Sequence, residues 1–172
     1  MAWTLLLAAG QGNRLASATG GLAKQFLDWK GAPLYWESAL VFSRCARVGG
    51  LVFVFPEACI DEERERVAGL MRNASLGIPW KVVAGGALRQ DSVRNGLSAL
   101  PDACMEVLIH DAARPFVSPV LVNRILDGLH GEASGECVAA CIPGIPVVDT
   151  IKVMDEEKKV VATPDRKHLM AV

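Results

Sequence analysis

Residues 3–26 read WTLLLAAGQGNRLASATGGLAKQF, and the start of this stretch decides the fold class. Trp3 and Leu5–Leu7 form a short, continuous apolar run, which is typical of a strand covered on both faces. The strand is followed by small residues and two cations: Ala8, Ala9, Gly10, Gly12, Arg14 and Lys24. Small residues let a backbone turn tightly and approach a ligand closely. The stretch therefore predicts a buried strand followed by a loop whose N–H groups can cradle an anion.

Short apolar runs alternate with helical patterns along the rest of the chain. Further strands are expected at 51–55, 80–86, 106–115 and 137–143, and helices at 34–46, 61–73 and 88–100 and after Pro119. This alternation predicts a doubly wound α/β fold, with a mostly parallel sheet and helices on both faces. Ligands of such folds bind beyond the carboxyl ends of the strands. Three motifs lie at predicted strand ends, at 8–14, 85–92 and 110–114.

Composition excludes several classes of protein. The 172 residues are the size of one domain, and a formal net charge of -1 without a basic run makes nucleic acid an unexpected partner. The five cysteines form no CxxC pair, which indicates a reducing compartment rather than a disulfide framework. No apolar run reaches the roughly 18 residues that span a membrane. We therefore expect a soluble, cytoplasmic protein.

The segment 146–166 differs in character from what precedes it. Apolar residues flank the polar turn Asp155 to Lys159, a pattern that predicts a hairpin-like arm. An isolated hairpin has too little core to be stable alone. We expect 1–172 to form a single domain and this arm to pack on a second subunit.

Two well-known phosphate loops can be tested against the glycine loop. A Walker A loop requires GxxxxGK followed by Ser or Thr, and the chain has no such string. A dinucleotide fingerprint requires GxGxxG, but Leu15 stands at the third glycine. A bare GxG after a strand is a weak signal, and a simple tight turn remains an open alternative.

Six motifs taken together are more specific. LAAGQGNRL, AKQF, GGALRQDSV, HDAARPFV, DTIK and PDR occur in this order. Through all 172 residues the chain resembles the 2-C-methyl-D-erythritol 4-phosphate cytidylyltransferases of non-mevalonate isoprenoid biosynthesis. The resemblance implies a Rossmann-like nucleotidyltransferase fold. It also implies a Mg²⁺-dependent enzyme that transfers CMP from CTP to methylerythritol phosphate, releases pyrophosphate, and acts as a homodimer through the β-arm.

The resemblance also implies roles for individual residues. Catalytic roles fall to Arg14, Lys24 and Arg166. The nucleotide would be bound by Ala8, Ala9, Gly10, Gly12, Gly85, Gly86, Arg89, Ser92, Asp111 and Ala112, with Asp111 also holding the metal. The acceptor would be bound by Arg114, Thr150 and Arg166, supported by Lys152 and Asp165. Ala87 stands where some relatives carry an acidic residue, so one base contact is expected to be lost or made by backbone.

The reaction that the resemblance implies would explain why the sequence shows no Ser, His or Cys catalytic constellation. The attacking group is a phosphate monoester, whose second pKa near 6 leaves it mostly ionised at neutral pH. Because it needs no general base, positioning and charge stabilisation can carry the reaction. His110 is expected to pack behind the site rather than to react.

Three alternatives stay open at this level. The glycine loop and Asp111 would equally serve a cytidylyltransferase for ribitol 5-phosphate or another polyol phosphate. Family members continue beyond the part that matches Val172, and that C-terminal pattern is absent here. A non-catalytic nucleotide-binding module, or a fragment of a longer or fused enzyme, is therefore a further alternative.

Overall fold

The structure is a computed structural model, and it describes residues 1–10, 22–131, 135–136 and 138–172. Packing within the chain separates it into two compact units, Met1–Val122 and Asn123–Val172. The strands are β1 Ala2–Leu7, β2 Asp28–Trp29, β3 Ala32–Pro33, β4 Val48–Phe55, β5 Trp80–Ala84, β6 Val107–Asp111, β7 Ile145–Pro146, β8 Val153–Met154, β9 Val160–Ala162 and β10 Met170–Ala171. The helices are α1 Tyr35–Ser43, α2 Ile60–Asn73, α3 Arg89–Ser98 and α4 Pro119–His130, with 3₁₀ turns at Lys24–Phe26, Glu57–Cys59 and Arg166–His168.

A four-stranded parallel sheet forms the centre of the first unit. Its strand order is β5-β4-β1-β6, with Leu6 of β1 in register with Phe53 on one side and His110 on the other. β1 and β4 lie in the middle, and Leu5, Leu6 and residues 51–55 are completely buried. Central strands lose water from both faces, which explains why their apolar runs are continuous rather than alternating.

Helices cover both faces of this sheet, so the doubly wound α/β fold is confirmed. On one face, a cluster of four aliphatic side chains packs with Val93 of α3 and comprises Leu5, Leu7, Val52 and Val54. On the other face, the ring of Tyr35 in α1 lies edge-on to Phe53 and Phe55, with centroids 6.1 and 5.0 Å away. The two sets alternate along β4, as the two-residue period of a strand requires.

A buried hydrogen bond joins α1 to α2. The Tyr35 hydroxyl donates to Glu63 Oε2 at 2.7 Å, and Arg66 Nη1 lies 3.5 Å from Glu63 Oε1. Glu63 is only 3% exposed, and a buried carboxylate is tolerated when hydrogen bonds and a counter-charge compensate it. Burial and the neighbouring Glu63 raise the pKa of the Tyr35 hydroxyl well above its ordinary value, so Tyr35 stays a donor.

The strand expected at 137–143 is the main error in the element predictions. Cys137 lies outside the described residues, and residues 138–143 contain no strand. Gly131 takes φ +71°, and the N–H of Val138 donates to the carbonyl of Leu129 in α4 rather than to another strand. An apolar run of seven residues cannot by itself reveal whether a neighbouring strand is there to pair with it.

The second unit contains two small antiparallel pairs. β8 pairs with β9 around the turn that the sequence predicted at 155–159, where the N–H of Asp155 donates to the carbonyl of Lys159. β7 pairs with β10. The use of 146–166 as a dimerisation arm stays a prediction.

Two predictions from composition can be compared with the described part of the chain. Its four cysteines, Cys45, Cys59, Cys104 and Cys141, form no disulfide with one another. None of its helices combines the length and the apolar character needed to cross a bilayer.

Candidate functional site

The candidate site lies at the carboxyl ends of β1, β5 and β6. β1 ends at Leu7, and the N–H of Ala8 still donates to Val54 O of β4 at 2.8 Å. Ala8 is 2% exposed, and the chain then leaves the sheet through Ala9 and Gly10. The predicted loop residues Gly12 and Arg14 lie outside the described residues, so their assigned roles stay predictions.

Sequence reasoning gave no role to Gln25, which the structure places against this loop. Its side-chain Nε2 donates to Ala8 O at 2.8 Å and to Gly10 O at 2.7 Å. The 3₁₀ turn Lys24–Phe26 positions Gln25, which is 4% exposed. Lys24, which is predicted to be catalytic, directly precedes Gln25 in the same turn and is half-buried. A single buried amide leaves no periodic pattern, so the motif AKQF alone could not reveal this contact.

The end of β5 lies against the end of β1, which explains the glycine at position 85. A Cβ built on Gly85 would come within 2.3 Å of Ala9 Cβ and 2.9 Å of Ser92 Oγ. The N–H of Gly85 donates to Phe55 O at 2.8 Å. Only a residue without a side chain fits this approach, so two motifs far apart in sequence meet here, as predicted.

Gly86 and Ser92 belong to one hydrogen-bonded turn before α3. The N–H of Gly86 donates to Ser92 Oγ at 3.0 Å, and this hydroxyl donates to Leu88 O at 3.3 Å. The N–H of Leu88 donates to Asp91 Oδ2 at 3.2 Å, which satisfies a backbone donor near the helix start. Ser92 is 5% exposed and shapes the turn, and its contact with a nucleotide stays a prediction.

Asp111 is the carboxylate that the structure brings to this edge. It is the last residue of β6 and lies in register with Leu7, so it stands beside the start of the glycine loop. Arg89 donates to Asp111 Oδ1 through Nε at 3.1 Å and Nη2 at 2.9 Å. Arg114 Nε lies 3.8 Å from Asp111 Oδ2. Three predicted site residues from two motifs thus form one charged group.

The first turn after β6 continues the ladder with the sheet. The N–H of Ala112 donates to Leu7 O at 3.0 Å, and Ala112 is fully buried. This bond fixes the direction in which the chain leaves β6 and hence the place of the Asp111 carboxylate.

His110 packs behind the edge, as the sequence indicated. Its Nε2 lies 3.0 Å from Ser38 Oγ and 3.1 Å from Arg114 O, and its ring lies edge-on to Phe42 at 5.1 Å. Burial lowers the pKa of His110 below its ordinary value, against the opposing hydrogen bond to Arg114 and the charge of Asp111. The neutral ring links α1 to the turn that carries Arg114.

At the candidate site, the described residues provide the Asp111 carboxylate but no preformed group of side chains that could hold a metal ion by itself. Within them, no three His, Cys, Asp or Glu side chains are grouped so that they could hold a metal ion. Mg²⁺ commonly binds through one or two carboxylates together with substrate phosphates and water. Asp111, with a side chain 39% exposed, fits that mode and does not fit a metal held by protein ligands alone.

Two of the three predicted acceptor residues, Thr150 and Arg166, lie in the second unit, whereas Arg114 lies in the first. Arg166 Nη1 donates to Val148 O at 2.7 Å, and Lys152 Nζ donates to Thr163 Oγ1 at 2.8 Å. Asp165 accepts from the N–H of Lys167 and so caps the turn that contains Arg166. Thr150 is exposed. Lys152 and Asp165 thus order their own segment, and their supporting role in acceptor binding stays a prediction.

The chain is similar to known proteins over almost its whole length. It is 52% identical over 170 residues to the bifunctional enzyme IspD/IspF of Oleidesulfovibrio alaskensis, covering 99% of this chain and 41% of that protein. It is 33% identical over 168 residues to the 2-C-methyl-D-erythritol 4-phosphate cytidylyltransferase of Alkaliphilus metalliredigens, covering 98% of this chain and 65% of that one. The chain therefore spans about two fifths of the length of the bifunctional relative.

Solved structures support the fold. The 4-diphosphocytidyl-2C-methyl-D-erythritol synthase of Anaerococcus prevotii matches with a TM-score of 0.78 at 22% identity, covering 99% of this chain and 67% of that one. At this identity the likeness concerns the fold alone. The family model for 2-C-methyl-D-erythritol 4-phosphate cytidylyltransferase matches residues 2–172. A match over nearly every residue shows that the chain belongs to the 2-C-methyl-D-erythritol 4-phosphate cytidylyltransferase family.

Proposed function

We propose that this chain carries the site that transfers CMP from CTP to 2-C-methyl-D-erythritol 4-phosphate in isoprenoid biosynthesis. The observation that carries the proposal is the meeting of three family motifs at the carboxyl ends of β1, β5 and β6, with Gly85 against Ala9 and Arg89 on Asp111. Edges of this kind are where doubly wound folds bind their ligands. The two named relatives have cytidylyltransferase or bifunctional names that agree with this activity.

The proposed step is a displacement at phosphorus. An oxygen of the acceptor's phosphate attacks the α-phosphorus of CTP, and the bond from that phosphorus to the oxygen bridging to the β-phosphate breaks. Pyrophosphate leaves with the electron pair of the broken bond, and the acceptor becomes a diphosphate diester of cytidine. No proton has to be removed from the attacking oxygen, because the phosphate monoester is mostly ionised at neutral pH.

The chain's own residues orient and neutralise the nucleotide. Backbone N–H groups of the loop that begins at Ala8 bind phosphate oxygens, and the cations Lys24 and Arg14 offset the charge that grows on the α-phosphate. Gly85 and Gly86 let the backbone pass close to Ala9 and Asp91, and the turn that they form is proposed to bind the cytosine and its ribose. Asp111 would hold Mg²⁺ together with phosphate oxygens, and the ion would supply positive charge that offsets the triphosphate.

Acceptor binding is proposed to involve the second unit of the chain. Arg166 has five N–H donors, and the bond of Nη1 to Val148 O orders the side chain while other donors remain for a phosphate. Thr150 offers an exposed hydroxyl. We propose that these two residues bind the acceptor's phosphate and that segments 146–166 of two copies join them as a homodimer. A reducing cytoplasm as the location stays a proposal as well.

The activity is tested by mixing the protein with CTP, Mg²⁺ and one acceptor at a time, while pyrophosphate release is measured. Release with methylerythritol phosphate supports the proposal. Release with ribitol 5-phosphate instead contradicts the proposed acceptor. CTP binding without release for either acceptor contradicts transfer and indicates a nucleotide-binding module.

The proposed role of Lys24 in neutralising the reacting phosphate is tested by substituting two lysines, one in the candidate site and one outside it. We expect Lys24→Ala to lower turnover about a hundredfold or more, because a fixed charge at the reacting phosphate binds the transition state, where negative charge has grown, more strongly than the bound substrate. Lys30→Ala is the matched control: Lys30 is exposed and lies 5.5 Å from the Trp29 ring centroid, and it should keep its turnover. Equal rates in both variants would show that Lys24 does not stabilise the reaction. The same loss is predicted for Arg14→Ala.

A further inference from the structure

Gln25 is a buried polar side chain whose two hydrogen bonds have no place in the proposed chemistry. Its Nε2 donates to Ala8 O and to Gly10 O at 2.8 and 2.7 Å. Both partners are carbonyl oxygens, which only accept, so the NH₂ end of the amide must face them. One nitrogen therefore binds two carbonyls of the loop start, two residues apart.

This contact fixes the direction of the peptide groups at the start of the loop. The described residues contain no cis peptide bond. In a trans peptide the N–H of the next residue points opposite to the carbonyl, so the Ala9 N–H points away from Gln25. A phosphate is attracted by N–H groups and repelled by carbonyl oxygens. Gln25 holds Ala8 O and Gly10 O on its own side of the loop. The opposite side of the Ala8–Ala9 peptide therefore presents the N–H of Ala9.

Gln25 also ties this loop to the turn that carries Lys24. In that turn the N–H of Phe26 donates to Ala23 O at 2.9 Å, and the N–H of Leu27 donates to Lys24 O at 3.2 Å. A shift of the loop start relative to this turn would break at least one of the Gln25 bonds. The proposed backbone donors and the proposed cation are thus held in a fixed relation by one side chain.

We propose that Gln25 is a positioning residue for phosphate binding: it turns the carbonyls of Ala8 and Gly10 out of the anion cradle and aligns the cradle with Lys24. The inference rests on the proposed function, since it names how that site prepares for a polyphosphate. It predicts that Gln25 acts on the phosphates of the nucleotide and leaves binding of the acceptor, whose phosphate is assigned to Thr150 and Arg166, unaffected.

The test compares Gln25→Met, which keeps the shape and removes the donors, with Gln25→Asn, which keeps the amide but is one methylene too short for both bonds. Binding of inorganic pyrophosphate in the presence of Mg²⁺ is measured by calorimetry, and KM is measured separately for CTP and for the acceptor. We expect the pyrophosphate Kd and the KM for CTP to rise about tenfold in Gln25→Met and less in Gln25→Asn, with the KM for the acceptor unchanged. Should the Met variant not fold, the Asn variant carries the same comparison.

Met71→Ala serves as the control for a general loss of stability. Met71 is 3% exposed and lines a depression with Trp80, which begins β5 at the end of the sheet opposite to the site. The Met71→Ala substitution should lower the free energy of unfolding without changing the Kd for pyrophosphate. Equal pyrophosphate affinity in wild type and Gln25→Met, or no binding by the wild type, overturns the inference. If the wild type binds pyrophosphate but does not turn over CTP, and the Gln25 variants lose that binding, the result supports the inference and contradicts the proposed function.

Discussion

At the scale of single residues, the Asp111 carboxylate is shared by two guanidinium groups. Arg89 contacts one of its oxygens at 2.9 Å and Arg114 lies 3.8 Å from the other. All three side chains are well exposed, and ion pairs of this kind contribute only about 0–1 kcal/mol. Guanidinium N–H groups that bind a carboxylate also bind phosphate oxygens. A phosphate could therefore replace the Asp111 carboxylate as the partner of these guanidinium groups at little cost in free energy. The two arginines bring N–H donors suited to a phosphate to the edge of the sheet.

Gly85 gives the sharpest prediction at this scale. Gly85→Ala would place a methyl group 2.3 Å from Ala9 Cβ, so the ends of β1 and β5 must move apart. We expect the variant to lose about 1–3 kcal/mol of unfolding free energy and to raise the KM for CTP at least about tenfold. Urea unfolding and steady-state kinetics measure the two effects.

Gly69→Ala is its matched control. Gly69 lies inside α2, and a Cβ there meets nothing within 4 Å. The substitution should raise stability by about 0.5–1 kcal/mol, because alanine loses less conformational freedom in a helix, and should leave kinetics unchanged. If Gly85→Ala behaved like Gly69→Ala, close packing of the two strand ends would be the wrong explanation for that glycine.

At the scale of elements, β6 is connected to α1 through His110. The ring lies against Ser38 and Phe42 of α1 and reaches the carbonyl of Arg114. Because burial favours the neutral ring, the pKa of His110 in the folded protein is below its unfolded value near 6.5. The unfolded chain then takes up more protons between these two values. Stability from His110 is fully present above pH 6.5 and is lost as the pH falls through the folded pKa.

This linkage predicts a specific change of pH dependence. Between pH 7.5 and 5.5, the urea midpoint of the wild type should fall more steeply than that of His110→Gln. His168→Gln is the control, since His168 is exposed in the turn Arg166–His168, and it should follow the wild type. Parallel curves for wild type and His110→Gln would contradict the assignment.

Elements with a strong pattern were predicted well from the sequence, and one without such a pattern was not. Helices α2 and α3 were expected at 61–73 and 88–100 and occupy Ile60–Asn73 and Arg89–Ser98, because an amphipathic period depends only on local sequence. The apolar run 137–143 gave no equally reliable signal, since a strand exists only if another strand pairs with it. The contact of Gln25 with the glycine loop was missed for the same reason: it joins residues 15 and 17 positions apart.

At the scale of the whole molecule, the second unit exposes apolar side chains that a partner could cover. Val148, Val160 and Val161 are 77%, 58% and 61% exposed. In sedimentation equilibrium we expect the wild type at twice the mass of one chain. Val161→Asp should shift it to the mass of one chain, because a carboxylate cannot be buried in an apolar contact without a partner.

Val120→Asp controls for the effect of an added charge. Val120 is 68% exposed in the first turn of α4, where an acidic residue is favourable, and the substitution should leave the mass unchanged. A wild type with the mass of a single chain would rule out the proposed homodimer. Equal masses for all three proteins at twice the chain mass would place the contact outside the 146–166 segment.

The sequence by itself determined the doubly wound fold, the strand ends that carry motifs and the family, because hydrophobic periods and motif order are properties of the linear chain. Only the tertiary structure decided that Gly85 must lack a side chain against Ala9, that Arg89 and Arg114 share Asp111, and that Gln25 holds the carbonyls of the glycine loop. These contacts join residues far apart in sequence. They depend on distances of a few ångströms, which packing of the sheet sets and no local pattern encodes.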